Sequence, residues 1–201
     1  CELVSAEDIQ LYKKANVLES LVKVWVSSHF ILNACKREPT LLGDLIRSGD
    51  LYSSTASASY MQCLHAAVPE SETDLHHILR TFRRREMVRI AWRDISGWSE
   101  LSETLMDVSL LAETAVQFAL DFTYSAACER NGIPLGKDGR PLQMVVLGMG
   151  KLGAWELNYS SDIDLIFAMP EEGYFDGHKG ISYAEFFTRI GRKLIQALDN
   201  V

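Results

Sequence analysis

Positive charge, cysteine chemistry and long apolar runs are all scarce in this sequence. Twenty Lys and Arg stand against 27 Asp and Glu, a formal net charge of −7 at pH 7. That balance argues against nonspecific nucleic-acid binding, which needs a basic surface, so no nucleic-acid partner is expected. The four cysteines, Cys1, Cys35, Cys63 and Cys128, are scattered, with no CxxC pair and no histidine at metal-site spacing. Structural zinc is therefore not expected; buried free thiols in a reducing compartment are. No apolar run approaches the ~20 residues of a membrane span, and the acidic start at residues 1–8 lacks a targeting pattern. The expected location is cytoplasmic, with no membrane partner. A chain that opens on Cys1 rather than Met reads as an internal start.

What is present is an ordinary globular composition, 47% hydrophobic and 23% charged, in a chain of 201 residues. Such a length buries roughly two thirds of its unfolded surface, in one domain or two small ones. From Ser5 to about Lys36 the apolar residues Leu11, Leu18, Leu21, Val22, Trp25 and Leu32 recur at helical spacing, with Ser5 as cap. Leu41–Ile46 is a short Leu-rich piece ending near Gly49, and Ser53–Ser59 reads equally as loop or helix start. Ser71 predicts the N-cap of a helix carrying Leu75, Ile78, Leu79 and Phe82 to about Trp92, broken by Gly97. A long helix follows over Ser102–Arg130, stopped by Asn131-Gly132.

The character changes at Pro134. Residues 133–141 form a turn-rich connector with Asp138-Gly139 and Pro141 signals. Leu142–Leu147 reads as a buried strand and Ile163–Met169 as a second. A glycine-containing loop over 173–180 precedes a last helix, capped by Ser182 and carrying Phe186, Phe187, Ile190 and Leu194. The sequence thus divides into a helical region, 1–133, and a smaller core, 134–201.

The chemistry lies in the core. Leu147-Gly148-Met149-Gly150-Lys151-Leu152-Gly153 brings a strand into a glycine turn, where phosphate oxygens can approach backbone N–H groups and Lys151 adds a cation. Asp162 and Asp164 stand two apart at the head of an apolar run, so on a strand both carboxylates share one face, followed there by Ile166. Ile163, Leu165 and Phe167 point the other way. Two hard oxygen ligands side by side suit Mg²⁺ bound to substrate phosphates, and without a cation the pair repels itself. Gly148, Gly150 and Gly153 also satisfy G-x-G-x-x-G. A dinucleotide fold needs a three-turn helix next and an acid at a strand end about twenty residues on; here the acids come sooner and open the strand.

The glycine turn, a spacer of residues 152–161, and Asp-x-Asp between hydrophobes resemble the signature of polymerase-β-like nucleotidyltransferases. Gly148–Gly153, Glu156-Leu157-Asn158 and Ser160–Phe167, with Phe82–Trp92, Leu111–Thr114 and Phe186–Gly191, further resemble the glutamine-synthetase adenylyltransferase family. That likeness is specific over residues 71–199 and vague before them. It implies an α+β fold, a helical region packed on a small mixed-sheet nucleotidyltransferase core. Family members carry one domain that adds AMP to a synthetase tyrosine and one that removes it by phosphorolysis. Gly-Met-Gly, Asn158, Ser160-Ser161 and the Phe-Phe-Thr-Arg helix are more like the removing half.

The implied roles follow residue by residue. Asp162 and Asp164 are the catalytic carboxylates and hold Mg²⁺, with Mn²⁺ the alternative. Gly148, Gly150 and Lys151 cradle phosphate; Ser160 and Ser161 either bind phosphate or cap the turn. The implied partners are glutamine synthetase, phosphate and AMP, ADP or ATP. Alternatives are the ATP-dependent AMP-adding domain, or a non-catalytic module binding a PII-type signalling protein, against which the retained, repulsive aspartate pair counts. The family's third carboxylate lies on a later strand, and the sequence stops at Val201, so the resemblance implies weak ligand binding and impaired turnover.

Outside this stretch, Arg80, Arg83-Arg84-Arg85, Arg89 and Arg93 read most simply as a solvated helix face paired in part with Glu86 and Asp94. Phosphate or an acidic partner is the functional alternative. The histidines have no assigned role. Trp25, Trp92, Trp98 and Trp155 read as packing residues, Trp155 with the option of facing nucleotide.

Overall fold

The computed structural model describes residues 6–14, 17–54, 57–175 and 180–199. Seven helices come first: α1 (Ala6–Lys14), α2 (Leu18–Ser27), α3 (His29–Arg37), α4 (Leu41–Arg47), α5 (Ser57–His65), α6 (Glu72–Ser96) and α7 (Leu101–Asn131). A 3-10 turn, Asp50–Tyr52, lies between α4 and α5. Strand β1 (Val145–Gly148), the single-turn α8 (Gly150–Gly153), strand β2 (Leu165–Ala168) and α9 (Tyr183–Asp199) complete the chain. The class is α+β, as expected.

The sequence signals for helix ends hold where they rest on a cap. The Ser71 hydroxyl accepts from the Asp74 N–H at 3.1 Å, and Gly97 closes α6 in the left-handed region at φ 75°. Ser182 likewise accepts from Glu185. The single helix expected over residues 5–36 is instead three. Ser28 leaves helical geometry and its hydroxyl caps α3 by accepting from Ile31, because a serine oxygen competes well for free amides at a helix start. Ser5 lies outside the described residues. Of the undecided serine stretch, Ser53 and Ser54 are not helical, Ser57–Ser59 belong to α5, and residues 55–56 lie outside the described residues.

The sheet also differs from expectation. β1 and β2 run antiparallel, in the register Val145↔Ala168 to Gly148↔Leu165, and no third strand is present among the described residues to make it mixed. The connection between them holds only α8 and turns, and so returns the chain beside its entry; a parallel neighbour needs a crossover of a dozen or more residues with a packed helix. Nor is β1 a buried strand. Val145 and Leu147, with Ile166 opposite, face outward at 48–49% exposure, while Val146 and Phe167 pack on the core. A two-stranded sheet covered on one side reads as alternation, not as an apolar block.

Two apolar cores form, and α6 serves both. Leu75, Leu79, Phe82, Met87 and Ile90 join α5, α7, α9 and the inner sheet face. Val88, Ala91 and Trp92 join α2, α3 and α4. Every residue from Glu86 to Arg93 is therefore buried, charged ones included. This corrects the reading of a solvated face for Arg89 and Arg93, whereas Arg80 and Arg83 are exposed as expected and Arg84 and Arg85 half-buried. Arg89 is fully buried and donates to Glu86 (2.6 Å), Asp107 (2.8 Å), the Tyr60 hydroxyl (2.8 Å) and the Ser53 carbonyl (2.9 Å). Arg93 reaches Glu103, and Arg85 pairs with Asp50 and Glu86. The Glu86 pairing is as expected, and Asp94 accepts from the Tyr159 hydroxyl. The thiols are also less sheltered than expected: Cys63 is exposed, whereas burial pushes Cys35 up to about 11.

Removing one member of a buried ion cluster strands the others without water or partner, which costs about 3–5 kcal/mol. Arg89→Ala is expected to lower unfolding free energy by that amount in urea titration. A loss below ~1 kcal/mol would contradict the role given to Arg89.

Candidate active site

The site is built at the end of β1. Gly150 opens α8 at φ 55°, and Gly153 closes it so tightly that an added Cβ would stand 2.5 Å from the Gly148 carbonyl oxygen. Backbone cannot yield at that distance, so only glycine fits at 153. A Cβ on Gly148 would meet the Leu152 side chain at 2.9 Å. The three glycines therefore make one compact turn, and Gly153, quoted in the motif but given no role, is its most constrained member. Trp155 follows in the left-handed region at φ 59°, a costly conformation for an aromatic residue. It is 45% exposed and lines a cavity of about 400 Å³ between α7 and β1, so it is not the packing residue expected.

The turn faces the aspartates. The Met149 N–H donates to the Asp164 carbonyl at 2.9 Å, extending the ladder one pair beyond β2. A Cβ on Gly150 would lie 3.8 Å from Asp164 Oδ2. Asp162, Asp164 and Ile166 are exposed and alternate with half-buried Ile163, Leu165 and Phe167, the pattern expected of the pair. Regular strand begins only at Leu165, so both carboxylates stand on the approach to it. Asp162 also borders a cavity of about 390 Å³ shared with Asn158, Ser161 and apolar residues of α6 and α7.

Between turn and aspartates, Asn158 is a hub that the site reading missed. Its Oδ1 accepts from the Ser160 N–H (3.2 Å), the Ser160 hydroxyl (3.4 Å) and the Ser161 hydroxyl (2.6 Å). Lys151 Nζ donates to Ser161 Oγ at 3.2 Å. Both serines thus take part in the turn, and Lys151 is tied to the same turn. The signal available was an Asn three residues before a Ser, the spacing of a side-chain-closed turn. Burial, and then the neighbouring Asp94 carboxylate, pushes the Tyr159 phenol above its ordinary value.

Among the described residues no group of three or more His, Cys, Asp or Glu converges to hold a metal ion. Two exposed carboxylates on one face nevertheless fit Mg²⁺ or Mn²⁺, which take hard oxygen donors and fill their remaining positions with water and phosphate. A glycine turn with an adjacent lysine, set against such a pair, is an arrangement suited to holding phosphates for transfer.

Such an arrangement is of the kind that serves nucleotidyl transfer. The sequence comparison narrows it: residues 18–201 match the family model for glutamate-ammonia ligase adenylyltransferase. The chain belongs to that family. It is 43% identical over 98% of its length to the bifunctional glutamine synthetase adenylyltransferase/adenylyl-removing enzyme of Nitrosococcus oceani. The proteins of the same name from Pseudomonas putida and Thioalkalivibrio sulfidiphilus are 45% and 43% identical over 89% and 90% of the chain. The chain spans about a fifth of the length of these relatives: 21% of the first and 19% of the other two. The likeness also reaches further towards the N-terminus than the motifs at 71–199 indicated.

Gly153→Ala is expected to lower stability by ~2 kcal/mol, as overpacking against unyielding backbone does. Gly150→Ala, strained only by its positive φ, is expected to lose about 1 kcal/mol. Urea titration checks both; a Gly153→Ala protein as stable as wild type would contradict the contact.

Proposed function

We propose that this chain carries the adenylyl-removing site of its family, in residues 134–201 supported by α6 and α7. The reaction is phosphorolysis: a phosphate oxygen attacks the α-phosphorus of tyrosyl-AMP on glutamine synthetase. The phosphorus–phenol oxygen bond breaks, the phenol oxygen takes up a proton, and ADP leaves with the synthetase's tyrosine side chain restored. The observation that carries the reading is the glycine turn facing the exposed Asp162/Asp164 pair across the Met149–Asp164 bond. The removing half is supported by Gly148-Met149-Gly150, Asn158 and Ser160-Ser161 as they stand in the sequence.

Asp162 and Asp164 would hold Mg²⁺, or Mn²⁺ in its place; when bound, the ion neutralises charge that builds on the phosphate oxygens. Gly148 and Gly150 leave the backbone open to those oxygens, and Lys151 offers a cation beside them. Ser160 and Ser161 present hydroxyls at the same edge while closing the turn. The partners of the reading are glutamine synthetase, phosphate and adenine nucleotides, with the cytoplasm as compartment. The relatives are named for both activities, so the AMP-adding reaction is the second reading, and it consumes ATP rather than phosphate.

The test mixes the chain, extended to the length of its relatives, with adenylylated glutamine synthetase, phosphate and Mg²⁺. ADP release that falls at least about a thousandfold in Asp162→Asn/Asp164→Asn is expected, the order of loss when a main source of charge stabilisation is removed. AMP incorporation from ATP at this site, without ADP release, would transfer the reading to the adding half.

A further inference from the structure

The sheet ladder holds the aspartate segment only at its far end, through the Met149–Asp164 bond. Between α8 and β2 it is anchored to the helical scaffold by side-chain bonds at two points. Ser109, on α7 and 1% exposed, accepts the Leu157 N–H at 3.0 Å while donating its own proton to the Leu105 carbonyl at 2.8 Å. With its one proton committed, that hydroxyl has a fixed orientation, and the buried Leu157 amide has a fixed acceptor. Two residues on, the Tyr159 hydroxyl donates to Asp94 Oδ2 at 3.1 Å, near the end of α6. The anchored residues, 157 and 159, bracket Asn158. Asn158 in turn gathers Ser160 and Ser161 and, through Ser161, Lys151.

We propose that Tyr159, with Asp94 as its acceptor, and Ser109 are positioning residues for the Asp162/Asp164 site. They fix the exit direction of the turn and so the place from which Asp162 reaches a cation. Neither Tyr159 nor Ser109 is required to touch substrate. Outer groups that orient ligands typically account for ten- to hundredfold in metal affinity. The Leu157 contact is also where α7 meets the site, and the Tyr159 contact is where α6 does. A shift of either long helix is thereby passed towards the aspartates by these hydrogen bonds, alongside the packing of Leu157 and Ile163 on the core. The inference rests on the reading of Asp162 and Asp164 as metal ligands, and its test separates the two.

The test measures Mn²⁺ binding to this chain by electron paramagnetic resonance, hydrogen exchange across residues 157–162, and Tm. Tyr159→Phe removes one hydroxyl and is expected to weaken Mn²⁺ binding roughly tenfold and speed exchange in that segment, at unchanged Tm. Asp94→Asn keeps an acceptor oxygen and is expected to behave as wild type. Ser109→Ala repeats the effect of Tyr159→Phe with some loss of Tm. Wild-type exchange and affinity in Tyr159→Phe would overturn the proposal, as would faster exchange spread over the whole chain with a matching fall in Tm. Mn²⁺ affinity unchanged in Asp162→Asn/Asp164→Asn would overturn the metal reading instead, and the exchange data alone then decide the anchoring.

Discussion

A guanidinium without access to water is the constraint around which the helices are arranged. Arg89 brings five donors into the interior and finds acceptors on four different elements: Glu86 on its own helix, Asp107 on α7, Tyr60 on α5 and the Ser53 carbonyl after the 3-10 turn. None of those acceptors can leave without stranding a charge, so α5, α6 and α7 are held in one relative position. Burial raises the Asp107 carboxyl above its ordinary value even beside Arg89, a sign of how little solvent reaches the cluster. Such a network is weak evidence of stability compared with an apolar core; its effect is to make one packing of the helices far better than its neighbours.

The candidate site inherits that fixed geometry. The turns that lead to Asp162 rest against α6 and α7, and each helix supplies an anchor within that segment. The sheet itself is too small to be rigid alone, since two strands of four residues make a marginal structure without a packed face. Its inner face takes Val146 and Phe167 onto α7 and α9, where Gly191 lets the Phe167 ring approach to 3.4 Å of where a Cβ would be. Its outer face keeps the carboxylates in the open.

Much of this was legible because the controlling physics is local. Capping by Ser71 and Ser182, termination by Gly97 and Gly132, and the alternation through Asp162–Phe167 each depend on a few adjacent residues. The Asp-x-Asp pair and the glycine turn were found because their chemistry fixes their spacing. What was not legible is set by contacts distant in sequence. Arg89 and Arg93 looked solvated because α6 carries polar residues on all sides, and only its place between two cores buries them. Ser109 and Asp94 are 48 and 65 residues from the groups they hold, with no periodicity to mark them. Trp155 was misread for a related reason: a left-handed backbone at an aromatic residue follows from the tight closure at Gly153, not from any preference of its own.

The proposed function requires one cation where the glycine turn meets Asp162 and Asp164, with phosphate over the turn. Crystals soaked in Mn²⁺ with ADP, measured at the manganese absorption edge, test this directly. An anomalous peak shared by the two carboxylates is expected, with nucleotide phosphate next to the Gly148–Lys151 backbone. A peak elsewhere, or nucleotide bound away from the turn with the aspartates bare, would contradict it.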